Sequence, residues 1–580
     1  VGPTPPPAIP PSGPPLIRAL DRVDERLLLR LALAASLAFT VAAAVSSDSV
    51  FQVDEHFQVV EFAGERLGRT PASSLTWEHA ARIRPWMQPA ALAGIARVLG
   101  AAGVDDPFVL LRAFRLASGL ASWAALATLL LAVRAFLPSA RWRRVASLSL
   151  ALPYFVPYLA ARLSSESGAT TFLVLALAAI LPLAGVASGE PPGPGPSRGR
   201  LLAAGVAMGL AFEFRFQAGI AVAGMLLWLL VHVRDRVRTL APILLGLVPP
   251  LVAGLALDAW GYGAFEIVPW RYLASNLLEG KAASFGTSPF LAYTWFLAGL
   301  FPPFGLALLL GMPLFWWRFP RHLLTWITLP FVLVHSAIGH KEIRFLFPIL
   351  PAAILCVVVL LSAPPAPRPW VRRGSAATGF LWLGRVTWIV NAVALLVLCL
   401  LPSSDNLELQ RFFHRHAGEP ARWVALTDPR RFHGHEVPFL SPRPMPEVER
   451  VGDAASLEAA LDRGPLPVLV TASHPLPPGA EALLERRGTR VFTSLPPWLS
   501  RVNFFGWLDR ADMTYVWRVD RVAPRRGRRR LRAPPFTGRR WRRSPDRWCS
   551  GGQAGSRRPS PRRPGWARCA GSRTGRRRSR

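Results

Sequence analysis

Long apolar runs alternate with short polar connectors through the first two thirds of the chain. Runs begin at or near Leu27, Leu116, Val145, Gly168, Leu201, Gln217, Thr239, Phe290, Leu323, Phe345 and Thr378. The first, Leu27 to Val45, is about 19 residues long, which matches a helix crossing a hydrocarbon core. The pattern predicts an all-α polytopic membrane protein with about eleven transmembrane helices. Pro153, Pro157, Pro249 and Pro250 interrupt several runs; membrane helices tolerate this where neighbours satisfy the freed backbone groups. The long connector after the first run holds two stretches that predict amphipathic helices, Phe57 to Leu67 and Thr76 to Leu99. Helices of this kind lie in the membrane interface and would form a shelf for a lipid-linked substrate arriving sideways.

Beyond Pro402 the pattern changes. RWVALT, PVLVTA and TRVFTS read as short strands, with short helices over Ser456 to Arg463, capped by Ser456, and Gly479 to Arg487. This alternation predicts a small C-terminal α/β domain over residues 402–520. Within it, PPWLSRVNFFGWL (Pro496 to Leu508) reads equally as a membrane-surface segment or as buried core.

Composition agrees with a membrane class: 51% of residues are hydrophobic and the mean hydropathy is +0.28. The net charge of +33 is uneven, because residues 521–580 hold 22 arginines against one acid, Asp546. That tail has no helical or strand period and reads as a disordered extension. Its charge suits nucleic acid or anionic lipid, but its Arg, Pro, Gly and Ser bias is also what a GC-rich reading frame yields by accident, and no nucleic-acid partner is expected. Residues 1–20 form a Pro-rich disordered lead without the apolar segment of a signal peptide, so the first span is expected to act as its own insertion signal. Cys356 and Cys399 lie in apolar runs and Cys549 and Cys569 in the tail, so no disulfide framework or metal quartet is readable.

The cations orient the spans. Alternate connectors (Arg141 to Arg144, Ser197 to Arg200, Arg234 to Arg238, Trp316 to His322, Pro367 to Gly374) carry 13 arginines with Glu190 and Asp235 as their acids. The positive-inside rule makes these cytoplasmic. The remaining connectors then share the extracytoplasmic side, and they carry the candidate chemistry: the carboxylate pair Asp54 and Glu55, Arg162 to Glu166, Glu213 to Gln217, Asp258 to Pro289 and His340 to Arg344. A carboxylate pair at the mouth of a span is costly unless solvated or used; an ordinary polar loop is the competing reading. Lys281 and Lys341 are the two lysines beside 66 arginines, and both fall in this group. HKEIRF packs His340, Lys341, Glu342 and Arg344 into one loop, either as an internally paired structural cluster or as an anion clamp.

HKEIRFLFPILP resembles the HKE-x-RF-x-x-P-x-x-P signature of glycosyltransferase family 22, the polyprenyl-phosphate-mannose-dependent mannosyltransferases of N-glycan and GPI-anchor assembly. DEHFQVVEFA resembles that family's DE-x-FQ-x-x-E motif at Asp54, Glu55, Phe57, Gln58 and Glu61, and LTWEHAARIRPWMQP resembles its TWE and IRS segment at Thr76, Trp77, Glu78, Ile83 and Arg84. ARLSSES, FRFQ and the loop from Asp258 to Phe290 match more weakly, in family order, over roughly Leu27 to Leu361. Val53, Pro85 and Phe285 depart from the pattern.

The resemblance implies a GT-C catalytic domain over residues 21–401 and an inverting mannosyl (hexosyl) transfer. The implied donor is a polyprenyl-phosphate sugar and the implied acceptor a lipid-linked or glycan molecule, with no cofactor and no metal, at the extracytoplasmic face of a bacterial inner membrane. On this reading Asp54 is the general base and Glu55 orients it or the acceptor; Arg344 and Lys341 take the donor phosphate, supported by His340 and Glu342. Gln58, Glu61, Glu78, Arg84, Arg162, Glu166, Arg215 and Lys281 form a second rank around the substrate. Tyr262, Trp270 and Tyr272 either stack on the substrate or belong to the interfacial aromatic belt. A lipid-linked-saccharide transporter or binding protein is the alternative. Transporters favour internal repeats and charges deep in the spans, whereas the ionisable residues here gather at span ends.

Overall fold

The computed structural model describes residues 21–520 except 48–49, 51, 138, 185–195, 301–303, 364–375, 401–404, 433, 466 and 495–512. All lie in one compact unit that ends at Arg521. The Pro-rich lead, the Arg-rich tail and the aromatic segment 496–508 fall outside the described residues.

Each of the eleven apolar runs starts within or beside a helix. Those used below are α1 (Glu25–Val45), α2 (Trp77–Ala81), α3 (Met87–Ala101), α4 (Pro107–Phe136), α5 (Ser165–Ala184), α6 (Arg198–Phe214), α7 (Arg236–Tyr262), α8 (Leu323–Ala337) and α9 (Leu350–Ser362). Five segments are long and apolar enough to cross a membrane by length and composition: α1, most of α4, α5, α7, and Ile343–Ser362, which contains α9. Shorter apolar helices, such as Phe304–Arg318 and α8, have 10–17 residues.

Local chemistry starts these helices where the sequence changes character. Asp24 caps α1, its carboxylate accepting from the Leu27 N–H at 2.8 Å. Asp106 caps α4 by accepting from Phe108 and Val109, with Pro107 at the first helical position. Helices α6 and α7 pack through glycines: Gly205 sits against the Ile243 carbonyl and Gly246 against the Leu202 carbonyl, where any side chain would overlap backbone. At the start of α1, Glu25 pairs with Arg143 at 2.8 Å and Arg134 at 3.1 Å, and Asp21 pairs with Arg141. This binds the first helix to the arginine-rich stretch Arg141 to Arg144 and to the end of α4. The opposite end of α1 leads into the carboxylate pair.

Two expectations change. Phe57 to Leu67 is not an interfacial helix. It is a π-helical turn, His56–Val60, followed by the helix Glu61–Arg66, with His56 through Gly64 buried. Thr76 to Leu99 is not one helix: Arg82 takes a left-handed conformation (φ 54°) that ends α2, and the chain turns through Pro85 before α3 begins. Several large exposed apolar side chains gather instead in the segment containing Phe265, Ile267, Trp270, Leu278, Phe285 and Leu291.

After α10 (Asp405–His416) comes a five-stranded sheet, β1 (Arg422–Ala425), β4 (Val448–Arg450), β5 (Val468–Ser473), β6 (Thr489–Thr493) and β7 (Thr514–Val519), in the order β4-β1-β5-β7-β6. β1 runs parallel to β4 and β5, while β7 is antiparallel to β5 and β6. α11 (Ala454–Asp462) and α12 (Ala480–Arg487) pack on the Val424 and Val470 face, and α10 on the Trp423 and Leu469 face. Asp453, not Ser456, caps α11; Ser456 answers from the third helical position in a reciprocal capping box. A separate hairpin, β2 (Arg431–Phe432) and β3 (His435–Glu436), reaches the first connector.

Candidate active site

A cavity of about 500 Å³ opens at the α1 C-terminal end. It brings together Asp54, Glu55, Gln58, Arg84, Glu166, Arg215 and Arg344, which are distant in sequence. Asp54 and Glu55 stand at the start of the π-helical turn, Arg84 on the turn between α2 and α3, and Glu166 in the first turn of α5. Arg215 follows α6, and Arg344 lies in a 3-10 segment, Ile343–Ile349, just before α9.

Arg344 ties the two motifs together. Its Nη2 donates to Asp54 Oδ2 at 2.6 Å and to Glu342 Oε1 at 2.8 Å. Its Nε lies 2.8 Å from Glu342 Oε2 and 3.6 Å from Glu166 Oε1. Arg215 Nη1 sits 3.0 Å from Glu166 Oε1 and donates to Ser165 Oγ at 2.9 Å. The Phe345 ring lies beneath both guanidiniums, 5.2 Å from Arg215 and 5.5 Å from Arg344. Acids and cations therefore nearly balance in the cavity wall. Burial pushes the Asp54 carboxyl up, but Arg344, Arg84 and Arg215 together outweigh it and hold Asp54 below the ordinary carboxylate range. Asp54 is thus ionised at neutral pH, with 30% of its side chain exposed against 2% for Glu166. Glu55 accepts from the Leu163 N–H at 3.0 Å, which fixes it beside its neighbour.

The end of α7 sets Arg84 in place, a role that the sequence did not disclose. Tyr262 Oη accepts from the Arg84 N–H at 3.1 Å and donates to the Arg84 carbonyl at 2.8 Å. Asp258 Oδ1 accepts from the Trp86 N–H at 2.8 Å. Gly261 faces the Trp86 indole so closely that a methyl group there would overlap the ring. Tyr262 is therefore neither a stacking platform nor a belt residue, but a backbone clamp. Tyr272 does line the cavity, beside Gln217, its hydrogen-bond partner.

Other expected site residues work outside the cavity. Lys341 Nζ donates to the Ser288 and Ile338 carbonyls at 2.9 and 2.6 Å, closing its own loop against residues 286–288. His340 bonds the Gly286 carbonyl and Glu342. Arg162, fully buried, donates to the Ala43 and Ser47 carbonyls at the end of α1. Lys281 lies over the Trp77 ring at 4.9 Å, on the stacked Trp77–Phe285 pair. Glu78 accepts from Gln58 Nε2 at 2.9 Å and is 3.5 Å from Arg84.

Glu61 sits behind the turn that carries Asp54 and Glu55, at 1% exposure. It lies 2.8 Å from His56 Nε2, accepts from Thr70 Oγ1 at 2.5 Å, and accepts from the Phe439 N–H at 3.2 Å. Through that last bond, and through Phe57 against Phe432, the C-terminal α/β region grips the turn carrying Asp54. Glu61→Ala is expected to orphan three buried partners and to cost about 1–3 kcal/mol for each donor left unsatisfied. The check is a lowered thermal midpoint of the detergent-solubilised protein, with Glu61→Gln less affected.

The family model described as the Alg9-like mannosyltransferase family matches residues 31–424, which includes every cavity residue named above. The chain belongs to this family. Similar proteins include GPI mannosyltransferase 3 of Candida albicans, 29% identical over 125 residues (22% of this chain, 25% of that one), and GPI alpha-1,2-mannosyltransferase 3 of Xenopus laevis, 25% identical over 345 residues (58% and 60%). The chain thus spans between a quarter and three fifths of the length of these two curated relatives. Among solved structures it is similar to ArnT from Cupriavidus metallidurans bound to undecaprenyl phosphate, at 13% identity and a TM-score of 0.44, covering 84% of this chain and 97% of that one.

Proposed function

We propose that the protein moves a mannosyl residue from a polyprenyl-phosphate sugar to a lipid-linked or glycan acceptor, with inversion, at the extracytoplasmic face of a bacterial inner membrane. In this reading all eleven apolar segments cross the bilayer, the arginine-rich connectors are cytoplasmic, and the α/β region of residues 402–520 lies outside with the cavity. The observation that carries the proposal is the meeting of an ionised, partly exposed carboxylate with three guanidiniums in one cavity at the end of the first helix.

Asp54 takes the proton of the acceptor hydroxyl as its oxygen attacks the anomeric carbon. The bond from that carbon to the phosphate oxygen breaks on the opposite side, and its electron pair leaves with the prenyl phosphate. Guanidinium groups stabilise the charge gathering on the leaving phosphate. Asp54 then returns its proton to solvent. Glu166 sits among the cations and prevents them from repelling one another.

Mass spectrometry of lipid-linked glycans from cells with and without the protein tests this reading. A one-hexose difference is expected; unchanged glycans would overturn it. Cysteine labelling tests the sidedness: probes at positions 52 and 339 should react from outside and a probe at 141 only after permeabilisation.

A further inference from the structure

The proposed donor carries one phosphate, and the question is which cation receives it. Two of the three cavity guanidiniums are already engaged at close range. Arg344 holds Asp54 at 2.6 Å and Glu342 at 2.8 Å, and Arg215 holds Glu166 at 3.0 Å with Ser165 at 2.9 Å. A phosphate arriving at Nη2 or Nε of Arg344 would compete with Asp54 and Glu342, and a displaced carboxylate left unpaired in the cavity wall is strongly unfavourable.

Arg84 differs from both. Its carboxylate contact, Glu78 Oε1, is at 3.5 Å, and the same oxygen already accepts from Gln58 at 2.9 Å. Its Nε, like those of Arg215 and Arg344, has no hydrogen-bond partner among the described residues, so the difference lies in the length of its carboxylate contact. The backbone on either side is pinned by Tyr262 and Asp258, and the guanidinium lies 5.9 Å from the Tyr272 ring. A planar fork with spare donors, presented from a fixed turn, suits two-point recognition of a phosphate. Recruiting it disturbs one long contact and leaves Glu78 with its Gln58 partner.

We infer that Arg84 is the principal phosphate receptor of the cavity, and that Arg344 serves Asp54 instead. The inference rests on the lipid-phosphate donor reading and refines it. It also moves the phosphate site away from Lys341, whose ammonium is used by backbone carbonyls.

The test is binding of farnesyl monophosphate to the full-length protein in lipid nanodiscs, with farnesol as the uncharged control. Arg84→Gln should raise the Kd for the phosphate roughly 10- to 100-fold, as expected for losing a charge-assisted pair. Glu78→Gln, which removes the competitor but keeps an oxygen for Gln58, should lower the Kd about threefold or more, a gain that misfolding cannot mimic. Wild-type Kd values in both variants would overturn the assignment while leaving the donor reading intact. Equal affinity of the wild-type protein for farnesol and its phosphate would overturn both.

Discussion

Asp54→Asn is expected to lower sugar transfer by roughly 100- to 10,000-fold, the range for removing a positioned general base. The amide keeps the size of the side chain and an oxygen for Arg344, so membrane insertion and abundance should be unchanged. Donor affinity should hold or improve, because the cavity loses a negative charge. The effect therefore belongs in kcat and not in the donor KM, a division that a folding defect would not give. Purified protein, prenyl-phosphate mannose and a lipid-linked acceptor pool suffice for the measurement; retained turnover would remove Asp54 from the base role. Glu55→Gln should be milder, since the amide oxygen can still accept from the Leu163 N–H.

Arg344→Gln should have the second large effect, and its signature is in the pH profile. Asp54 is held below the ordinary carboxylate range, with Arg344 the leading cation opposing its burial. In the wild-type protein the base stays ionised as pH falls through the normal carboxylate range of about 4, and activity is lost only below it. Without Arg344 the burial term is less opposed and the folded-state pKa rises. The acid limb of kcat/KM should then move to higher pH, so that the variant loses activity where the wild type keeps it. The same substitution leaves Asp54, Glu342 and Glu166 without their shared cation, at a cost of about 3–5 kcal/mol. Stability bears the matching sign: a carboxylate with a depressed folded pKa stabilises the protein above its unfolded pKa, and the benefit fades as pH falls. An unshifted acid limb in a folded Arg344→Gln protein would mean that another group sets the pH dependence.

The Asp258, Tyr262 and Gly261 clamp explains why residues of an apolar helix carry polar contacts to the turn between α2 and α3. Asp258 and Tyr262 are four positions apart and project from one face of α7, and Gly261 opens the space that the Trp86 indole fills. From the sequence, Tyr262 resembled any interfacial aromatic. Its role depends on a backbone 178 residues away, which no local pattern reports.

Hydrophobic periodicity alone located the apolar helices, because a bilayer imposes length and composition on any segment that crosses it. The motif strings alone placed the chain among the mannosyltransferases and named Asp54, Glu55, Lys341 and Arg344 first, with Arg84, Glu166 and Arg215 in a second rank beside Glu61, Arg162 and Lys281, since charge at span ends is rare without use. Only the tertiary arrangement decided what each does. Glu61, Lys341 and Arg162 are as polar as the cavity residues and as close to the motifs, yet their charges meet backbone or buried partners away from the cavity. The burial of Phe57 to Gly64 was likewise unreadable, since the same pattern would suit an interfacial helix; the C-terminal α/β region that covers it comes more than 350 residues later. Sequence reports which groups are available for chemistry, but pairing depends on distances of a few ångströms between segments that meet only in the folded chain.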